Sequence, residues 1–292
     1  MGDHAPLIQV RRAVKRYGRF EAIDDVTLDV RAGQIAGLVG ANGAGKTTLI
    51  RLILGLEALD SGSVRVFGEP PSRATRARLG YVPQGLGLYT DLSVQQNIDF
   101  VAGAFGVMDP PKAPAAITAA ARRQVEDIGL GLQRQLAFYC ALLHAPELLI
   151  LDEPTSGVDP LARARLWDTI REQAEAGAAV LVTTHYMQEA EQCDDLALLS
   201  RGRKVAAGSE AEMTAGTTAV EVTTSSWAAA FDALSAAGLP VTMAGRAVRV
   251  AGVERTLIDE VLTAASLHAE VRDVPATLEE RMVLVDRQES TR

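Results

Sequence analysis

At 292 residues, with 48% hydrophobic and 23% charged side chains, the chain is long enough for one large α/β domain and a smaller appendage. A net charge of −8 and a pI near 5.1, with no basic block, weigh against a nucleic-acid-binding role. Two cysteines, Cys140 and Cys193, make neither a disulfide framework nor a metal cluster, and both read as small packed hydrophobes. Met1 to Pro6 lacks the apolar core of a signal peptide. No stretch approaches the ~18 apolar residues that span a bilayer, so the sequence reads as soluble and intracellular.

From the N-terminus, Leu7 to Arg12 reads as a strand, and Val26 to Val30 alternates as a half-exposed antiparallel strand does. Between them Tyr17 precedes Gly18; its ring is either a platform for a nucleotide base or a surface tyrosine packing on the first sheet. Ile35 to Val39 is an apolar run. Gly40-Ala41-Asn42-Gly43-Ala44-Gly45-Lys46-Thr47-Thr48 follows, then helical spacing to Leu54, with Gly55 as C-cap. Strand, glycine-rich turn and a helix opening on Lys-Thr form the phosphate-binding pattern G-x-x-x-x-G-K-[ST]. Glycines let successive N–H groups turn inward, and the helix N-terminus adds positive dipole. Lys46 can reach the terminal phosphates of a nucleotide, and Thr47 can ligate Mg²⁺.

Ser63 to Phe67 and Leu79 to Val82 are short strands, the second leading into Pro83-Gln84-Gly85. Gln84 there is either a metal- or water-positioning residue or an ordinary turn residue. Ser93-Val94-Gln95-Gln96 has the form of a capping box for a helix from Val94 to about Ala102. Met108 to Pro114 is too proline-rich for helix, Ala115 to Asp127 is helical by propensity, and a further helix runs from Leu132 to Leu143. Leu148 to Leu151 reads as a buried parallel strand closed by Asp152-Glu153, where open α/β sheets bind ligands. With a phosphate loop upstream, Asp152 is a candidate for holding Mg²⁺, and Glu153 for accepting a proton from water that attacks the γ-phosphate. A helix from Pro160 to about Glu175 and a strand from Ala179 to Thr183 follow, with His185 just beyond that strand. Leu196 to Ser200 and Lys204 to Ala207 form a hairpin, and Ser209 to Glu212 caps a short helix ending at Gly216. From Thr217 the order is β-α-β-β-α-β, ending in a strand at Glu270 to Asp273, which suggests a small ferredoxin-like module over residues 217–292.

Over Leu7 to about Gly216 these motifs resemble the ATP-binding subunit of an ABC transporter. Walker A is Gly40 to Thr48, the Q-loop Tyr81 to Gln84, Walker B Leu148 to Glu153, the D-loop Ser156 to Asp159, and the switch histidine His185. The runs Ala141 to Glu147, Thr155 to Pro160 and His185 to Glu191, with the tail Val274 to Glu280, are similar to the ABC-2-type exporter branch. The resemblance implies an α/β P-loop NTPase core at residues 1–216, with an antiparallel β subdomain and a short helical subdomain, followed by the C-terminal α+β module. It implies catalytic roles for Glu153, His185 and Gln84, and nucleotide contacts from Tyr17, Gly40, Asn42, Gly43, Gly45, Lys46, Thr47 and Thr48. Thr47, Gln84 and Asp152 would hold Mg²⁺, and Tyr17 becomes the residue that stacks on adenine. Such a protein hydrolyses ATP as a homodimer or heterodimer of nucleotide-binding subunits. It works beneath separate integral-membrane permease subunits, on the cytoplasmic face of the membrane.

One motif departs. The signature Leu-Ser-Gly-Gly-Gln aligns with Ile128-Gly129-Leu130-Gly131-Leu132, so Gly129 stands where a serine would donate to a γ-phosphate bound by the partner subunit. Gly131 and the helix N-terminus persist, which implies slower turnover with nucleotide binding retained. The alternatives are a regulatory subunit paired with a competent ATPase, and a soluble ABC ATPase outside transport.

Overall fold

The computed structural model describes residues 5–290; the first four residues, part of the stretch read above as lacking a signal-peptide core, lie outside them. Two compact units make up the chain, residues 1–207 and 208–292.

The first unit opens with β1 (Ile8–Tyr17) and β2 (Phe20–Val30), then β3 (Ile35–Val39), α1 (Lys46–Ile53), β4 (Ser61–Val66), α2 (Arg73–Arg76) and β5 (Leu79–Val82). The helices α3 (Val94–Phe105), α4 (Ala115–Ala119) and α5 (Leu130–Leu142) come next. They are followed by β6 (Leu148–Asp152), α6 (Pro160–Glu175), β7 (Ala179–Thr184), α7 (Met187–Ala190), β8 (Asp195–Ser200) and β9 (Arg203–Gly208). One sheet is antiparallel in the order β2-β1-β4; the other runs β5-β6-β7-β3-β8-β9. In the larger sheet β5, β6, β7, β3 and β8 pair in parallel, so their C-terminal ends share one edge.

Helix α1 is buried between the two sheets. Leu49, Ile50, Leu52 and Ile53 pack into one core with Ile8, Val10, Ile23 and Val26 of the antiparallel sheet and with Leu38, Leu148, Ile150 and Leu181 of the parallel one. Burial on both faces fixes the helix that carries Lys46 and Thr47, which is what a phosphate site needs. A separate core joins α3, α4 and α5 through Val94, Ile98, Ile117, Leu136 and Cys140. The capping box at Ser93 and Gln96 forms as expected. The helix expected over Ala115 to Asp127 does not: α4 ends at Ala119, and Val125–Asp127 is a single 3-10 turn. Alanine propensity is outweighed there by a chain reversal in which Val94 and Gln95 N–H donate to Arg123 and Ala121 carbonyls. Both cysteines are buried and reduced, with burial pushing each thiol up to about 12, so neither is reactive.

The second unit holds α8 (Glu210–Thr214), β10 (Thr218–Thr223), α9 (Trp227–Ala236), β11 (Val241–Ala244), β12 (Ala247–Ala251), α10 (Arg255–Ala264), β13 (Glu270–Pro275) and α11 (Leu278–Ser290). Its antiparallel sheet has the order β11-β12-β10-β13, as a split β-α-β pair produces. Val220, Val222, Val248 and Val250 face Leu234, Ile258 and Leu262 of the two crossover helices. Two features differ from the sequence reading. Helix α8 packs on α11, so the division falls at residue 207 rather than 216. Helix α11 was not anticipated, although Thr277 and Glu280 bond each other's backbone N–H as a capping box.

Candidate functional site

The C-terminal edge of the parallel sheet gathers the loops after β3, β5, β6 and β7, the place where open α/β sheets bind ligands. An open cavity of about 340 Å³ lies there, lined by Asn42, Gly43, Gly45, Lys46, Thr47, Thr48, Gln84 and Glu153. The first-turn N–H groups of α1 have no acceptor within the helix and face a ligand site at its N-terminus. Two glycines are required by geometry. A Cβ on Gly45, which sits at φ 106°, would lie 2.6 Å from the Ala22 carbonyl, and one on Gly40 would lie 2.4 Å from the Leu199 carbonyl.

Lys46 is 5% exposed, and its ammonium donates to the Gly40 and Ala41 carbonyls at 2.7 and 3.2 Å. It also lies 3.5 Å from a Glu153 carboxylate oxygen. The Thr47 hydroxyl donates to Asp152 at 2.9 Å, and the Thr183 hydroxyl donates to the other Asp152 oxygen at 2.6 Å. Thr183 Oγ1 in turn accepts the Glu153 backbone N–H at 2.8 Å. Glu153 is 8% exposed and stands in the left-handed region at φ 49°. That conformation costs of order 1–3 kcal/mol and persists only where the surroundings hold it. Its carboxylate meets Gln84 Nε2 at 3.3 Å and His185 Nδ1 at 3.3 Å. The structure therefore brings together Gln84, Asp152, Glu153, His185 and the whole phosphate loop.

Other expected residues stand elsewhere. Tyr17 does not line the cavity; Phe20, opposite it in the β1–β2 register, does. Both rings are exposed, and Lys15 Nζ stands 5.2 Å from the Tyr17 ring centre. Gly129 is the N-cap of α5, outside the cavity, with no side-chain cap; Gly131 lies in the first turn of the same helix. Of the further buried polar residues in the first unit, three that the sequence did not single out hold the segment around Glu153. These are Thr183, already described, Arg134 on α5 and Glu189 on α7. No local pattern marks them, because their partners lie on other elements.

The ABC transporter family profile matches residues 23–156. Nod factor export ATP-binding protein I of Cupriavidus metallidurans is 40% identical over 219 residues, 71% of this chain and 72% of that protein. The chain belongs to the ABC transporter ATP-binding proteins. The probable multidrug ABC transporter ATP-binding protein YbhF of Escherichia coli K12 is 38% identical over 220 residues, which cover 72% of this chain but only 38% of YbhF. A solved ATP-binding subunit of an ABC transporter superposes with a TM-score of 0.65 at 29% identity, over 71% of this chain and 91% of that one.

The ABC ATPase family binds ATP, and the donors around the cavity suit a magnesium nucleotide. Thr47, Asp152 and Gln84 offer hard oxygens. Among the described residues no group of three or more His, Cys, Asp or Glu could hold a metal by itself, so phosphate oxygens would complete the shell. Bound Mg²⁺ would offset charge on the β- and γ-phosphate oxygens.

Proposed function

We propose that this chain is the ATP-hydrolysing subunit of an exporter whose membrane-spanning subunits are separate ABC-2-type proteins. The observation that carries the chemistry is Glu153, a buried carboxylate held within 3.5 Å of Lys46, Gln84 and His185 at the mouth of a phosphate cradle. Lys46 would exchange its carbonyl partners for the β- and γ-phosphates of ATP. Glu153 would take a proton from water as its oxygen attacks the γ-phosphorus. The bond to the bridging oxygen then breaks, and its electron pair leaves with ADP. Gln84 and His185 would orient the water and the γ-phosphate.

The export assignment rests on relatives named for multidrug and Nod factor export. Among the described residues no helix is long and apolar enough to cross a membrane, which supports separate permease chains. Beside the Gln84 loop an apolar groove of about 300 Å³, lined by Leu86, Leu88, Val101, Phe105 and His144, offers the permease a surface. Two such subunits, alike or different, would close on ATP at the cytoplasmic face. Gly129 favours a second reading, a regulatory subunit whose weak signature serves a competent partner.

Affinity purification of the tagged chain from detergent-solubilised membranes tests the export reading. A polytopic membrane protein that co-purifies and stimulates hydrolysis is the expected outcome. Salt-sensitive capture of DNA or RNA with no membrane protein would overturn it.

A further inference from the structure

Helix α5 carries two consecutive residues whose side chains reach in different directions. Gln133 Nε2 donates to the Val125 and Ile128 carbonyls, both at 2.9 Å, and so holds the 3-10 turn that leads into Gly129. Arg134, 4% exposed, reaches the loop after β6: Nη1 donates to the Glu153 and Pro154 carbonyls at 3.2 and 2.8 Å, and Nη2 to the Ser156 carbonyl. The same loop is gripped by an opposite charge. Glu189, 1% exposed, accepts from the Thr155 hydroxyl and, at 2.8 Å, from the hydroxyl of Thr184, the neighbour of His185. Arg163 Nε of α6 lies 3.4 Å from the Glu189 carboxylate.

Residues 153–156 are thus held by a buried cation and a buried anion. Burying either charge is costly, and carbonyls alone could be satisfied by neutral donors. A planar guanidinium does something a single donor does not: it fixes several acceptors in one geometry. The loop so fixed contains Glu153 in its strained left-handed conformation.

We infer that Arg134 and Glu189 are positioning residues for ATP hydrolysis, together holding loop 153–156 so that the Glu153 carboxylate stays aimed at the phosphate cradle. The inference rests on the reading of Glu153 as the proton acceptor. Because Gln133 and Arg134 are neighbours, it also ties the turn before Gly129 to the catalytic loop through one turn of helix. A shift of α5 as its N-terminus meets a partner would then move Glu153.

The test uses the full chain with Arg134→Lys, which keeps charge but not the fork, Arg134→Gln, Glu189→Gln, and Glu153→Gln as reference. Steady-state kcat and KM for Mg²⁺-ATP, binding of a fluorescent ATP analogue and thermal unfolding are measured together. Misaiming a reacting group by an ångström costs up to about 100-fold. The Arg134 and Glu189 variants should therefore lose about tenfold or more in kcat, with analogue affinity nearly unchanged and the fold intact at assay temperature. Normal kcat in the Arg134 variants beside a dead Glu153→Gln overturns the inference alone. Normal kcat in Glu153→Gln overturns the reading beneath it. Hydrogen exchange gives a second readout independent of turnover. Arg134→Lys should speed exchange at the Glu153 and Ser156 amides while leaving β7 unchanged, and unchanged exchange at both amides overturns the inference.

Discussion

Replacing Gly129 by serine separates a structural role of the signature position from a catalytic one. Gly129 has φ −62° and ψ 151°, the extended conformation of an N-cap, and no side chain caps α5. A Cβ there meets nothing within 4 Å, so serine enters without strain. As a cap it gains little: serine exceeds glycine by only about a few tenths of a kcal/mol. As a donor to a partner-bound γ-phosphate it gains far more, since a hydrogen bond to a charged group is worth about 1.5–3 kcal/mol. At about 1.36 kcal/mol per decade, that corresponds to about 10- to 150-fold in turnover. Phosphate release from Mg²⁺-ATP, measured across protein concentration for wild type and Gly129→Ser beside thermal unfolding, compares the two. Faster turnover with a nearly unchanged melting temperature is expected. Unchanged turnover would mean that the missing serine does not limit hydrolysis.

Two further predictions concern buried polar groups. Thr183→Val removes the hydroxyl that links Asp152 to the Glu153 backbone and strands a buried N–H, so the ATPase unit should lose about 3 kcal/mol in denaturant titration. Hydrolysis should fall further than that loss of folded protein explains, because the same hydroxyl supports the left-handed Glu153. His144 stacks on Phe105 with ring centres 3.8 Å apart and bonds the Leu79 carbonyl; burial holds its pKa below the ordinary 6.5. The unfolded chain therefore binds the extra proton first, and the stability present above pH 6.5 is lost as pH falls towards the folded value. Melting temperature should drop between pH 7 and about 5.5, and His144→Gln should flatten that slope. Equal slopes in both proteins would assign the loss elsewhere.

What the sequence disclosed about the site follows from how local each signal is. The phosphate loop, Asp152-Glu153 and His185 follow strands whose apolar runs are continuous, so their shared edge could be read from spacing. Ser93 and Ser209 announced their helices because a capping box is written in four consecutive residues. Thr277 and Glu280 form the same box at the start of α11, where it follows a strand with only Ala276 between. Arg134 and Glu189 could not be found this way, since each acquires its role from partners 19 to 22 and 5 to 34 residues away. Nor could spacing decide whether Tyr17 is a base platform or a surface ring; the cavity is lined instead by Phe20, its partner across the hairpin. The boundary near residue 208 was hidden for a similar reason: α8 joins the second unit through its packing on α11, far along the chain.

If the Walker motifs of this chain form an ATP-hydrolysing half-site, Glu153 is its proton acceptor. The most direct measurement is ATP binding and phosphate release by the full chain with Mg²⁺, wild type against Glu153→Gln. General-base removal typically costs about 10²–10⁴-fold, so the variant should bind ATP as tightly as wild type yet release phosphate at least about 100-fold more slowly. Undiminished hydrolysis in Glu153→Gln would mean that another group accepts the proton, and a wild-type chain that does not bind ATP would mean that the loop is no nucleotide site.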